Sequence, residues 1–490
     1  MGLNYPALIK IMGVLTVIES IAMLPCIVTA VVYNETSVSH IMVVLSSFLL
    51  LTGMVIMLQL KFSRIYMRVQ EGFLVTCMAW IYCSIIGLLP FYLSGYGYSF
   101  IDCLMESISA FTTTGCRILD SEAMPKSLIL WKGICNWLGG MGILVLVLSV
   151  FPLLGISGHT MAKAEAPGAT FDRMGSKATD TGKFLYFVYF FLSATEFLLL
   201  ALGPLDTFDA LINTMTTIST AGTIVTEANA AAHASEYTRA VILIFTFLSS
   251  VNYFLYFMIM TGHGKDALKN VELRWYIKII LSGTILIALC LRFTDTYDSL
   301  WQALKDSLCQ TVAISATSGF YVCDYTKWPS FTHAVIMGLM IVGSCSGSTG
   351  GSLKVMRVVT MLKMCKRGIF LKIHPNAIKP ISYNGKNLTA PIASAVTVHI
   401  LLYFGVIFIG SLLLSFNNLD METTITTVLG AFSNTGSAFG LAGPSGDYTI
   451  FNGFSKLVIS VLMVTGRLEM YAVVLLLSGS FWKPDRVKKI

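Results

Sequence analysis

Ten stretches of this chain are apolar and long enough to cross the ~30 Å hydrocarbon core of a bilayer. They lie near residues 11–32, 40–60, 72–94, 128–156, 184–203, 239–262, 276–293, 331–362, 391–416 and 453–480. No other feature constrains the fold as tightly, because a backbone in hydrocarbon must satisfy its own polar groups. Composition agrees: charged residues make up 12% of the 490, about half the ~25% of a soluble chain. Soluble and disordered classes are excluded. The net charge of +7 is spread thinly between apolar runs and forms no basic face of the kind nucleic acid needs. The predicted fold class is an all-α polytopic membrane protein of ten transmembrane helices, its partner a lipid bilayer and no nucleic acid.

Eleven cysteines, an odd number without any C-x-x-C pair, signal neither a disulfide framework nor a zinc site; they read as small packing residues. The first apolar run is longer than the 7 to 15 residues of a signal peptide's apolar region and reads as a retained helix. Ten crossings put both termini on one side. Of the 33 Lys and Arg residues, 24 fall on that side and eight on the other, with Arg467 inside a span, so the positive-inside rule makes both termini cytoplasmic.

Between the spans lie four shorter, moderately apolar segments that align without gaps on Gly115, Gly222, Gly319 and Gly436: DCLMESISAFTTTG, DALINTMTTISTAG, DSLCQTVAISATSG and TTITTVLGAFSNTG. Thirteen residues before each glycine stand Asp102, Asp209, Asp306 and Thr423, read as helix caps, followed by apolar residues at spacing four; this predicts a short half-helix. The expected architecture is four pseudo-symmetric units of span, half-helix, glycine loop and span, behind an N-terminal helix pair. Its parts are 1–70 (helix pair), 71–160, 161–264 and 265–365 (the first three repeats, the third with a broken helix), and 366–490 (fourth repeat and tail). Irregular backbone at membrane depth must be buried in protein or line water. Four such loops around one axis make a pore, where a ring of carbonyls replaces the water shell of a cation and half-helix C-termini add their negative dipole ends. A monovalent cation is the expected substrate.

Gly343 to Ser352 reads GSCSGSTGGS, ten small residues inside the eighth span. A packing face explains Gly343 and Gly347 as G-x-x-x-G and leaves the rest. The expectation is a break in the helix, forming a loop that closes the pore, with Ser and Thr hydroxyls satisfying freed backbone groups. Arg467, a charge inside the last span, is by default functional, and its five donors suit the carbonyls of such a loop.

At these residues the sequence resembles the Trk/Ktr/HKT superfamily of potassium transporters, most closely the bacterial Trk-type pore subunit. The resemblance runs over the whole chain and includes Trp137-Leu138-Gly139-Gly140-Met141-Gly142, the GSCSGSTGGSLK stretch and Gly466-Arg467-Leu468-Glu469. It implies a selectivity filter built of Thr112, Thr113, Thr114 and Gly115; Ser219, Thr220, Ala221 and Gly222; Ala316, Thr317, Ser318 and Gly319; and Ser433, Asn434, Thr435 and Gly436. K⁺ would be held at Thr113, Thr114, Thr220, Ala221, Thr317, Ser318, Asn434 and Thr435. The implied gate comprises Gly343, Ser344, Cys345, Ser346, Gly347, Ser348, Thr349, Gly350, Gly351, Ser352, Lys354 and Arg467. The resemblance further implies a homodimer in the bacterial inner membrane, a cytosolic nucleotide-binding regulatory subunit, and K⁺ as the transported ion with no bound organic cofactor. Relatives with Ser at the first filter glycine tend toward Na⁺; Gly115 favours K⁺. The second loop departs from the family where Thr223 replaces a common aromatic, and Arg117 sits near the pore mouth, with Asp120 or Glu122 as possible counter-charges.

A Na⁺-permeable relative of the same fold is the alternative within transport. From another class, Gly155-Ile156-Ser157-Gly158 beside His159 matches an intramembrane serine protease string, and Gly343 to Gly347 has nucleophile-elbow spacing. Both lack the structural context such motifs need, and no phosphate-binding loop is present. The chain is expected not to be an enzyme.

Overall fold

In the computed structural model, residues 5–59, 69–142, 178–222, 235–384, 386–444 and 446–482 are described. The Gly155 to Gly158 string, the repeat boundary at 160 and the tail 483–490 lie outside them. Helix dominates because the apolar runs satisfy their backbone internally. Two short strands, β1 (Ser382–Tyr383) and β2 (Lys386–Asn387), pair antiparallel as a hairpin.

The N-terminal pair is α1 (Tyr5–Ala22), continued after a break as α2 (Leu24–Val32), and α3 (Thr36–Gln59). α1 and α3 touch through small residues: a Cβ on Gly13 would strike Ile56, and one on Gly53 would strike Val17. The Ser20 hydroxyl donates to the Ser46 carbonyl at 2.8 Å and Ser46 donates back to Ser20 at 3.1 Å. Small residues and reciprocal hydroxyl bonds are how helices adhere where lipid offers no hydrophobic drive.

The rest of the chain follows the order α4 (Val69–Gly87), α5 (Leu89–Leu93), α6 (Phe100–Phe111), α7 (Lys126–Gly140), α8 (Ala178–Ala201), α9 (Thr207–Ile218), α10 (Glu236–Ser250), α11 (Tyr253–Met260) and α12 (Gly264–Leu268). Then come α13 (Val271–Phe293), α14 (Leu300–Ser315), α15 (Ser330–Val342), α16 (Val355–Ile373), α17 (Ala390–Leu414), α18 (Met421–Phe432), α19 (Gly453–Arg467), α20 (Tyr471–Leu477) and α21 (Gly479–Trp482). Among the described residues six helical segments are long and apolar enough to span a membrane, and α10 with α11 passes the same test only when taken together across a 90° bend. The protein is a multi-pass membrane protein; the remaining crossings expected from sequence are interrupted helices or run into residues outside the description.

α6, α9, α14 and α18 are the four half-helices, but they begin earlier than the expected caps. Ser99, Asp206, Ser299 and Asp420 occupy the N-cap positions. Asp102, Asp209 and Thr423 sit at the third helical residue, and Asp306 lies a full turn further in. The fourth cap is well made: Asp420 accepts the Thr423 amide at 2.8 Å and its hydroxyl at 2.7 Å. Those bonds hold the Asp420 carboxyl below the usual carboxylate range.

Candidate functional site

Each half-helix ends in the same way. Thr112, Ser219, Ala316 and Ser433 are right-handed C-caps with φ of −77°, −76°, −74° and −78°. The next residues, Thr113, Thr220, Thr317 and Asn434, turn left-handed with φ of 54°, 56°, 57° and 53°. Their amides bond back to Ala110, Thr217, Ile314 and Ala431, and the following amides, of Thr114, Ala221, Ser318 and Thr435, reach Ser109, Thr216, Ala313 and Gly430. This is a Schellman cap, whose left-handed position is usually glycine. A β-branched residue there is a genuine outlier. Three threonines hold it in this protein, two of them with their hydroxyls bonded to the structure below. The left-handed turn two residues before each glycine is a feature the sequence reading missed.

The four glycines then close a ring. A Cβ on Gly115 would overlap the carbonyl oxygen of Ala221; one on Gly222 would lie 2.7 Å from that of Ser318; one on Gly319 would overlap that of Thr435; and one on Gly436 would overlap that of Thr114. Each glycine thus abuts the carbonyl just before the glycine of the next stretch, in the chain order first, second, third, fourth, first. All four glycines line one cavity of about 50 Å3. Arg117 borders it, donating to the Tyr321 hydroxyl at 2.9 Å and to the Pro444 carbonyl at 3.1 Å. Asp120, one of the two expected counter-charges, accepts instead the Glu122 amide at 2.9 Å. Among the described residues no group of three or more His, Cys, Asp or Glu side chains gathers as a metal site. Carbonyls and hydroxyls are the oxygen donors here, a set suited to hard cations.

The expected break of the eighth span is present: α15 stops at Val342, Gly343 takes φ of 69°, and α16 resumes at Val355. The loop between is tied on all sides. Ser352 Oγ lies 2.6 Å from the carbonyls of both Met340 and Ile341, which the broken helix leaves free. Cys345 N donates to Ser250 O at 3.1 Å, and Thr349 Oγ1 donates to Ser249 O at 3.1 Å. Gly347 O accepts Tyr253 N at 3.1 Å. Ser344 and Ser348 pair through their hydroxyls at 3.0 Å. Ser346 N donates to Glu272, and Lys354 Nζ donates to the Gly350 carbonyl. The loop tip meets the ends of the half-helices: Gly351 N donates to Thr317 Oγ1 at 2.7 Å, and a Cβ on Gly350 or Gly351 would strike the carbonyl of Ala316 or Ser433.

Arg467 joins these parts. Its guanidinium donates to Thr349 O at 2.7 Å, to Thr113 Oγ1 at 3.1 Å, and to the carbonyls of Gly139 and Gly140. It also lies over the Trp80 ring, 5.6 Å from the centroid. A cavity of about 130 Å3 is bounded by Arg467, Lys354 and the loop glycines. The structure therefore brings the expected gate residues together, against the inner end of the expected filter residues.

Comparison with known proteins places this arrangement. Residues 40–484 match the TrkH family, described as cation transport protein. The chain belongs to that family. It is 29% identical over 489 residues to the Trk system potassium uptake protein TrkH of Halomonas elongata, covering 97% of this chain and 99% of that one. It is 29% identical over 421 residues to the protein of the same name from Escherichia coli K12, covering 85% and 87%. The crystal structure of the potassium transporter TrkH from Vibrio parahaemolyticus superposes with a TM-score of 0.87 at 27% identity, covering 98% of this chain and 100% of that one. The resemblance read from the motifs is borne out, and membership of the TrkH family makes the chain a transport protein and not an enzyme. The elbow-like Gly343 to Gly347 leaves a helix for a loop, with no strand before it.

Within this TrkH-family chain three features were not legible locally. Breaks occur in other helices too: α10 ends at Ser250 with extended Val251, and α19 ends at Arg467 before left-handed Glu469 and Met470. The carbonyls at Ser249, Ser250, Gly139 and Gly140 find donors on the loop or on Arg467, which are distant in the chain. Glu469 pairs with Arg357, not Arg467. Buried Glu106 pairs with Lys132 and accepts the Leu119 amide at 3.2 Å. The only sequence signal for these was the rarity of charge within apolar segments.

Proposed function

We propose that this protein takes up K⁺ through a central pore whose selectivity filter is formed by the stretches 112–115, 219–222, 316–319 and 433–436, and whose gate is the 343–354 loop with Arg467. The observation that carries the reading is the closed cycle of glycine-to-carbonyl contacts among the four stretches. A cycle of four equivalent backbone segments presents several carbonyls to one ion, and neutral oxygens in number favour a weakly hydrated monovalent cation. Gly115 at the first position supports K⁺ over Na⁺. The proposal extends to ten crossings in four repeats with cytoplasmic termini, supported by the charge asymmetry of the loops. It includes a homodimer in the cell membrane and a cytosolic nucleotide-binding partner, both supported by the family resemblance. Purified protein in liposomes should pass K⁺ and Rb⁺ in strong preference to Na⁺; equal rates for Na⁺ would replace the K⁺ reading with that of a Na⁺-permeable relative.

A further inference from the structure

The 343–354 loop needs something to hold its two ends together, and its own sequence supplies little for this. α16 begins behind Lys354, which has φ of 70° and gives no side-chain cap; Arg357 N and Val358 N turn back to the Lys354 carbonyl, but the Met356 amide between Val355 and Arg357 needs an acceptor from elsewhere. The acceptor comes from another helix. Glu272, the second residue of α13, is 4% exposed, and its Oε1 accepts both Ser346 N at 2.7 Å and Met356 N at 3.1 Å. One carboxylate oxygen thus gathers amides from either side of the loop tip. A second bond, Val355 N to Ser344 O at 3.0 Å, closes the same neck. Bonds to an ionised acceptor are about twice as strong as neutral ones, and a negative charge at a helix N-terminus is further favoured by the dipole.

Glu272 is itself set from the cytoplasmic hairpin. Asn270 caps α13, accepting Glu272 N at 2.9 Å and Leu273 N at 3.2 Å. The intervening amide, Val271 N, donates to Oδ1 of Asn384, the turn residue between β1 and β2, at 2.9 Å. The hairpin is in turn held to α16 by Lys363 Nζ, which donates to Ser382 O at 2.8 Å. A continuous series of bonds therefore runs from hairpin to Val271, to the adjoining Glu272 and to both ends of the loop.

We propose that Glu272 is the latch of the 343–354 loop, and that the 381–388 hairpin positions this latch through Asn384, so that displacing the hairpin loosens the loop. The inference rests on the reading of that loop as the gate. It makes Glu272 a positioning residue, since it touches the loop and not the ion. Opening the loop then requires parting two amides from one carboxylate, and a pull on the hairpin is delivered one residue away from it.

The test measures Rb⁺ flux by the full-length protein in liposomes without any partner, with thermal unfolding and elution volume recorded for each variant. Deletion of Ser348 and Thr349 serves as the gate reference. Glu272→Gln keeps the shape and one acceptor while removing the charge, and should raise basal flux about tenfold, the scale of losing one charge-assisted hydrogen bond. Glu272→Ala should raise it further. Asn384→Ala should act in the same direction by a smaller factor, and adding it to Glu272→Ala should change little. If the loop deletion raises flux while a normally melting Glu272→Gln protein stays at the wild-type level, the latch is overturned and the gate stands. If the deletion itself leaves flux unchanged, the gate reading fails. Full multiplication of the Asn384 and Glu272 effects would overturn the link through the hairpin.

Discussion

Nη1 of Arg467 lies 3.1 Å from Oγ1 of Thr113, so a charge from the last described long helix meets the left-handed residue that ends the first half-helix. The same guanidinium binds Thr349 O in the loop and the carbonyls of Gly139 and Gly140 at the end of α7. Arg467 is therefore where the first and fourth of the repeats proposed from the sequence meet the loop of the third. A fixed cation there repels an incoming cation strongly in a low-dielectric surrounding.

Replacing Arg467 by Ala should raise partner-free Rb⁺ flux by roughly tenfold or more, given that charged hydrogen bonds contribute ~1.5 to 3 kcal/mol. Arg467→Lys should restore little of the block, because a point charge cannot span the planar set of acceptors. Flux into liposomes reads both. Wild-type basal flux from a folded Arg467→Ala protein would falsify Arg467 as part of the gate.

Each ring glycine should be intolerant of a side chain. Gly115→Ser places a Cβ into the Ala221 carbonyl at a φ of 79°, and the strain of such a position costs ~1 to 3 kcal/mol. The expected outcome is a lower Rb⁺ over Na⁺ ratio with the protein still assembled, measured as reversal potential in planar bilayers. Gly319→Ser and Gly436→Ser should act alike, since each meets the equivalent carbonyl.

Lys132 and Glu106 should reveal themselves through stability. Lys132→Met leaves a carboxylate buried without its cation, which costs ~3 to 5 kcal/mol, whereas Lys132→Met with Glu106→Gln removes the charge as well. Thermal unfolding in detergent should show a large drop for the single variant and partial recovery for the double. A double variant no more stable than the single would mean that the pair is not the source of the loss.

Orientation can be read from a native thiol. Cys365 on α16 is the exposed cysteine, while the other ten are buried or half-buried. A membrane-impermeant maleimide should label Cys365 from the cytoplasmic side alone, and Asp298→Cys, in the exposed turn before α14, from the opposite side alone. Tyr448, although close to the mouth, is 2% exposed and its hydroxyl donates to Gly436 O, so it makes a poor reporter. Labelling of both thiols from one face would refute the ten-crossing topology.

The sequence by itself determined what local pattern can determine. Long apolar runs dictate helices, because nothing else satisfies a backbone in lipid. Four ungapped glycine segments announce four helices that end alike, and ten small residues from Gly343 to Ser352 announce a break, because no side chain there can sustain a lipid-facing helix. The true N-caps were within reach: Ser99 and Asp420 stand three residues before the residues read as caps, and an apolar period of four does not fix where the first turn begins.

Tertiary structure decided the rest. Whether α10 stops at Ser250 depends on Cys345 and Thr349, a hundred residues away, supplying donors to its last carbonyls. Thr113, Thr220 and Thr317 take a backbone conformation that their own side chains disfavour, and neighbouring loops packed carbonyl to glycine hold them in it. Arg467 stood out as a rare charge, yet only the fold could choose Thr349, Gly139 and Gly140 as its acceptors, and only the fold could give Glu469 to Arg357. Glu272 looked like an ordinary acid at the start of a helix; two amides from the ends of a distant loop make it something else. Local pattern fixes which backbone groups a segment can satisfy alone, and long-range packing decides where the unsatisfied ones find their partners.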